Sequence, residues 1–158
     1  QKVSLNDIIK KTLPLLKTMI SPFDVQLDFT AENCDVFVQP QLMQQVVFNI
    51  IKNAAQAMGN SGKLSVRTFI TKNDHLNAVE EGLVANISIE DTGGGVEKEI
   101  EKQIFDFFFT TKSSGQGTGI GLSMSKNIVD RFGGDIRLEN QIGIGSKFII
   151  SLPILSAN

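Results

Sequence analysis

Residues Gly115-Gln-Gly-Thr-Gly-Ile-Gly121, followed by an apolar helical pattern through Phe132, decide how this chain is read. Glycine at every second position leaves no side chains to hold bulky anions away from the backbone. Placed before a helix, such a loop aims bare N–H groups and the positive end of the helix dipole at a phosphate. Two familiar identities fail on spacing. No Gly-Lys-Ser/Thr occurs in the chain, so the loop is not a P-loop. A G-x-G-x-x-G pattern from Gly115 needs glycine where Ile120 stands, and one from Gly117 meets Leu122. The preceding Phe105-Asp-Phe-Phe-Phe-Thr-Thr-Lys-Ser-Ser does not alternate like a strand feeding a dinucleotide-binding turn. The loop belongs to another nucleotide site, or to none.

Composition sets the outer bounds. With 158 residues, 41% hydrophobic and 20% charged, the chain suits one globular domain over 1–158 with a real core. Its longest apolar run is far short of the roughly 18 residues a membrane span needs, and it lacks a signal-peptide pattern at the start. A chain opening on Gln1 is expected to be a fragment of a longer protein. The net charge of −2 gives no electrostatic case for nucleic acid. A single cysteine, Cys34, excludes an internal disulfide and fits a reducing compartment.

Outward from the glycine loop, the elements alternate. Ser4-Leu-Asn-Asp7 has the form of a capping box opening an apolar periodic segment, which Pro14 should kink or split. Val25 to Phe29 alternates as a strand, and Asp35 to Val38 is a second, shorter candidate. Pro40 starts the strongest helix, running through Met58 and ended by Gly59-Asn-Ser-Gly62. Leu64, Val66, Thr68 and Ile70 share one face of a strand; Leu83, Ala85, Ile87 and Ile89 share a face of its hairpin partner. A short helix near Glu97–Lys102, a helix from about Gly119 to Phe132, and a closing hairpin of Asp135–Glu139 with Lys147–Leu152 complete the chain. The expected class is α+β: a two-layer sandwich with a mixed, mainly antiparallel sheet and helices on one face.

Three constellations carry chemistry. On the helix Pro40–Met58, a core stripe of Met43, Val47, Ile50, Ile51, Ala54 and Met58 is bordered by Gln45, Asn49, Asn53 and Gln56. Asparagine is a poor interior helix residue, so two at i, i+4 beside a core face need a reason. They form either a solvated polar edge or an amide pair facing a ligand, where carbonyl oxygens can ligate Mg²⁺. The second is Asp91-Thr-Gly-Gly-Gly95 after a strand. Alternation turns Asp91 toward the layer under the sheet, where a carboxylate is costly without a strong donor. The N6 amino group of adenine is one such donor, and a plain capped hairpin turn is the competing reading. The third is Ile104 to Lys112, whose four phenylalanines beside a small-residue loop suggest a hinged flap, with Lys112 placed to neutralise a terminal phosphate. Ordinary core phenylalanines and a solvated lysine are the alternative.

In this order, Asn49-x-x-x-Asn53, Asp91-x-Gly-x-Gly95, Phe105–Lys112 and Gly117-Thr-Gly-Ile-Gly121 resemble the asparagine, first glycine, phenylalanine and second glycine boxes of sensor histidine kinases. That family has the Bergerat ATP-binding fold, shared with type II topoisomerases, Hsp90 and MutL. Gly143-Ile-Gly-Ser-Lys-Phe148 is similar to its last box, with Ser146 where a threonine lies near the adenine. The short Thr-Thr-Lys lid resembles the nitrogen-regulation-type subgroup. Phe107 stands where the family often has proline, and Gly94 where proline is frequent, and neither departure removes a ligand.

The resemblance implies ATP and Mg²⁺ as cofactors. Asn53 is then the Mg²⁺ ligand, Asn49 lies beside the triphosphate, and Lys52 projects from the same helix. Asp91 accepts from the adenine amino group, with Gly93 and Gly95 shaping that wall. Thr111 and Lys112 belong to the lid; Gly117, Thr118, Gly119, Ile120, Gly121 and Leu122 cradle phosphates through backbone N–H groups. Asn49 and Lys112 are the catalytic candidates. In ATP-hydrolysing relatives a glutamate one turn before the Mg²⁺ asparagine activates water. Asn49 cannot take a proton, so phosphoryl transfer is expected over hydrolysis. His75, the only histidine, sits in a polar loop and is not the expected acceptor. The implied acceptor is a histidine on a separate hairpin domain of the same full-length protein, with residues 1–20 near the junction. A homodimeric parent, a downstream response regulator and a cytoplasmic site, on a sensor that is membrane-anchored or not, complete the expectation. A serine kinase of the same fold, of the anti-sigma-factor type, and a nucleotide-sensing module without turnover are the alternatives.

Overall fold

Two prolines shape the helices. In the computed structural model, which describes residues 1–72, 82–94, 121–141 and 143–154, strand β1 (Lys2–Ser4) leads into helix α1 (Leu5–Thr12). Pro14 has no N–H for the next α-helical bond. The chain therefore tightens into a 3-10 turn over Leu13–Leu16 before helix α2 (Lys17–Ile20). Ser4 does occupy the N-cap position, but its side chain makes no capping bond. Its hydroxyl lies 3.5 Å from the Cys34 sulfur instead. Strands β2 (Asp24–Asp28) and β3 (Asp35–Phe37) follow, then helix α3 (Pro40–Met58). Pro40 sits in its first turn and Gly59, at φ 75°, ends it, a conformation that suits a residue without Cβ.

Strands β4 (Lys63–Lys72) and β5 (Leu83–Asp91), helix α4 (Gly121–Arg131), and strands β6 (Asp135–Gln141) and β7 (Gly145–Pro153) complete the described fold. The sheet order is β2-β4-β5-β7-β6, with β2 parallel to β4 and the other pairs antiparallel. β1 and β3 pair separately. Leu64, Val66, Ile87, Ile89, Phe148 and Ile150 of the sheet meet Ile9 of α1, Ile50 and Ile51 of α3 and Val129 of α4 in one buried core. Burying each such side chain contributes about 1.5–3 kcal/mol. The result is the expected mixed, mainly antiparallel sheet with helices on one side.

The α3 stripe is wider than its sequence pattern suggests. Val46 and Ala55 are also buried, whereas Met58 is only half-buried at the helix end. Leu83, expected on the core face of β5, is 51% exposed because the strand begins there, beyond the helical layer's cover. The short helix expected at 97–102, the Phe105–Lys112 flap, most of the glycine loop and His75 lie outside the described residues.

A polar knot fixes α1 to the sheet. The buried Thr68 hydroxyl donates to Asn6 Oδ1 at 2.7 Å and accepts the Thr30 N–H at 2.9 Å. Asn6 Nδ2 in turn donates to the Thr30 carbonyl at 2.9 Å. Thr68→Val keeps the shape but strands two of these groups, so it should cost about 1–3 kcal/mol. A lowered urea midpoint with an unchanged slope is the expected result.

Candidate nucleotide site

α3 supplies one wall. Asn49 and Asn53 are half-buried at the margin of its apolar stripe, while Lys52, Gln45 and Gln56 are exposed. Helix α4 runs beside it. A Cβ on Gly121 would stand 3.9 Å from the Asn49 amide carbon. Further along, Gln45 Nε2 donates to Met124 Sδ at 3.1 Å. The first turn of α4, at the positive end of the helix dipole, therefore lies next to Asn49. Gly121 and Leu122 begin that turn, both half-buried, and Ser125 Oγ donates back to the Gly121 carbonyl at 2.8 Å.

The end of β5 supplies the second wall. Asp91 is 4% exposed. Its Oδ1 accepts the Gly93 N–H at 2.9 Å, and the Ser146 N–H also donates to its carboxylate. Burial raises the Asp91 pKa above the ordinary 3.8, and the charge of Glu90 pushes the same way; the two backbone N–H donors only partly offset this. A carboxylate offers about four acceptor positions, so two backbone bonds leave capacity for a further donor. The buried Ser146 lies directly opposite Asp91 on β7. Gly145, before it, packs so tightly on the Asp91 carbonyl that a Cβ would overlap it.

Gly93 joins the two walls. A Cβ there would come within 2.9 Å of the Ala57 carbonyl, one helical turn beyond Asn53 on α3. Only glycine lets the loop after Asp91 lie this close to the helix carrying the amides. Two further ties hold that loop. Thr92 Oγ1 accepts the Lys63 N–H at 3.0 Å, and the Gly94 carbonyl accepts the Gly143 N–H at 2.8 Å. Ala57, Thr92 and Gly143 thus position the site without having been singled out as site residues. Gly143, at φ 84°, carried the only usable signal, within the Gly143-x-Gly145 turn. Of the expected site residues, Asn49, Lys52, Asn53, Asp91, Gly93, Gly121, Leu122 and Ser146 are described. Gly95, Thr111, Lys112, Gly117, Thr118, Gly119 and Ile120 are outside the described residues.

A half-buried amide pair, a helix start beside it and a buried carboxylate behind a glycine turn thus lie together, as the sequence expectation of a nucleotide site requires. Residues 38–156 match the model of the histidine kinase-, DNA gyrase B- and HSP90-like ATPases. The chain belongs to that family. It is similar to the signal transduction histidine-protein kinase AtoS of Escherichia coli K12, at 39% identity over 98% of this chain and 24% of that protein. Sensor histidine kinase ZraS of the same organism is 36% identical over 98% of this chain and 31% of that protein. The chain thus spans about a quarter to a third of the length of these relatives. The catalytic domain of histidine kinase ThkA superposes with a TM-score of 0.79 at 28% identity, covering 97% of this chain and 96% of that one. ThkA has also been solved in complex with the response regulator protein TrrA. The ATPase-family match and these relatives support ATP binding by this domain, of the histidine-kinase kind. No helix among the described residues is long and apolar enough to cross a membrane.

Proposed function

We propose that this chain binds Mg-ATP and transfers the γ-phosphoryl group to a histidine on a separate dimerisation domain of a two-component sensor kinase. The observation that carries the reading is Asp91, a buried carboxylate with spare acceptor capacity, on a turn seated against the helix of Asn49 and Asn53. The N6 amino group of adenine offers Asp91 a further donor, where guanine carries a carbonyl oxygen at the same ring position, so in this reading the wall takes adenine.

The residues present fit a hard cation as well. Among the described residues no group of three or more His, Cys, Asp or Glu converges. The Asn53 amide oxygen is the ligand this helix would contribute, with triphosphate oxygens completing the set. Bound Mg²⁺ would neutralise charge developing on the phosphate oxygens. Asn49, beside the first turn of α4, orients the triphosphate and cannot abstract a proton from water. The γ-phosphoryl is thereby kept for an imidazole nitrogen: the new N–P bond forms as the bond to the β-phosphate oxygen breaks, and ADP leaves with the electron pair. In this reading Thr111, Lys112 and the glycines from Gly117 to Gly121 serve the phosphates, and Gly95 belongs with Gly93 to the adenine wall. Residues 1–158 act as one catalytic unit, 1–20 lying nearest the acceptor domain, in a homodimeric cytoplasmic parent that passes phosphate to a response regulator.

Mixing this chain with ATP, Mg²⁺ and the hairpin domain of its own full-length protein tests the reading. The expected product is hairpin phosphate that is labile in acid and stable in alkali. Acid-stable phosphate would mean a serine kinase. ATP binding with no transfer would leave a nucleotide-sensing module.

A further inference from the structure

The helical layer stops short of the sheet's parallel edge. Val25 and Leu27 of β2 lie opposite Leu64 and Val66 of β4, so they face the same side as those core residues. Leu64 and Val66 are fully buried beneath the helices, yet Leu27 is 48% exposed and Val25 only half-buried. Between β2 and the Leu13–Ile20 segment runs an open groove of about 670 Å³. Leu13, Ile20 and Phe29 line it together with Val25 and Leu27.

Charge on this groove has one sign. Of the ten lining residues, Lys10 and Lys17 are the charged ones, in a chain whose net charge is −2. Lys10 Nζ stands 5.7 Å over the Phe29 ring, holding its ammonium at the groove's rim.

We propose that this groove docks an amphipathic helix with acidic flanks from a protein partner. The face left open adjoins β4, whose inner residues Leu64 and Val66 lie buried in the core with the helices, so a helix is the element that extends the layer. Its apolar stripe would lie on Leu13, Val25 and Leu27, and its carboxylates would meet Lys10 and Lys17. A second copy of the chain would set the same lysine rim against itself. A membrane surface calls for a larger basic cluster, about 4–8 cations, on a convex face. Neither suits two lysines around a concave groove.

The test is an NMR titration of the ¹⁵N-labelled chain with a synthetic helical peptide bearing Leu at i, i+3, i+4 and i+7 and Glu on both flanks. Shifts should concentrate at Lys10, Leu13, Lys17 and Leu27. The Lys10→Glu/Lys17→Glu double variant should bind at least tenfold more weakly, and Leu27→Ser should also weaken binding. All three positions are exposed, so thermal unfolding should match the wild type. Equal binding of a Lys-flanked peptide would overturn the proposal, as would shifts centred on Asn49 and Asn53 or no shifts at millimolar peptide. Shifts produced by phosphatidylserine vesicles and not by the peptide would assign the groove to a membrane; dimers in sedimentation that close it would assign it to a second copy.

Discussion

Replacing Asp91 with asparagine is expected to give a domain that folds more stably and recognises ATP less well. The folded state raises the Asp91 pKa, chiefly by burial. Between the ordinary carboxylate value and the raised folded value, the native state then binds more protons than the unfolded chain. Unfolding free energy therefore falls as pH rises through that window, and at neutral pH the buried charge works against the fold. Asparagine removes that charge, keeps one oxygen whose two lone pairs can serve the Gly93 and Ser146 N–H donors, and should raise the denaturant midpoint at pH 7. In acid, where Asp91 is protonated in both states, the difference should shrink. Binding should move the opposite way. An amide in place of the carboxylate loses a charge-assisted acceptor for the adenine amino group, worth about 1.5–3 kcal/mol. That corresponds to about 10- to 100-fold in ATP affinity, and the preference for ATP over GTP should fall accordingly. Calorimetry with both nucleotides reads the effect. A preference that survives intact would remove Asp91 from adenine recognition, whatever the stability result.

Which features were legible in the sequence follows from their range along the chain. α3 declared itself because nineteen residues repeat one apolar period between Pro40 and Gly59. β4 and β5 were equally plain, since a hairpin pairs neighbours whose alternation is locally visible. The parallel pairing of β2 with β4 was not, because the choice of partner depends on how α1 and α3 pack, not on any pattern within Asp24–Asp28. The short strand at Asp35 was expected, but β1 and its pairing with that strand were missed for the same reason: three residues carry almost no periodicity, and their partners lie some thirty residues away. Ser4 had the composition of a cap, but its hydroxyl lies beside a buried sulfur that only the folded chain brings there. The site divides along the same line. Asn49, Asn53 and Asp91 stood out because asparagines within a helix beside its core face, and a carboxylate on the core face of a strand, are unfavourable types for their places. The seating of Gly93 on Ala57 and the tie from Gly143 to Gly94 exist only once distant segments meet.

Asn53→Ala should abolish the metal-dependent part of ATP affinity while leaving the fold intact. Alanine is the better helix former by roughly 0.5 kcal/mol, and Asn53 lies half-buried at the edge of the α3 stripe. The variant should therefore be at least as stable as the wild type, and weakened binding could not be ascribed to unfolding. An alanine methyl offers no oxygen to a cation. With Mg²⁺ present, ATP should bind about 100-fold more weakly, the equivalent of nearly 3 kcal/mol. With Mg²⁺ chelated, wild type and variant should bind alike, because the adenine wall at Asp91 and the start of α4 are untouched. Parallel calorimetric titrations with and without Mg²⁺ separate these arms. A loss of equal size in both would mean that Asn53 contacts the nucleotide directly, and no loss in either would take the metal away from α3.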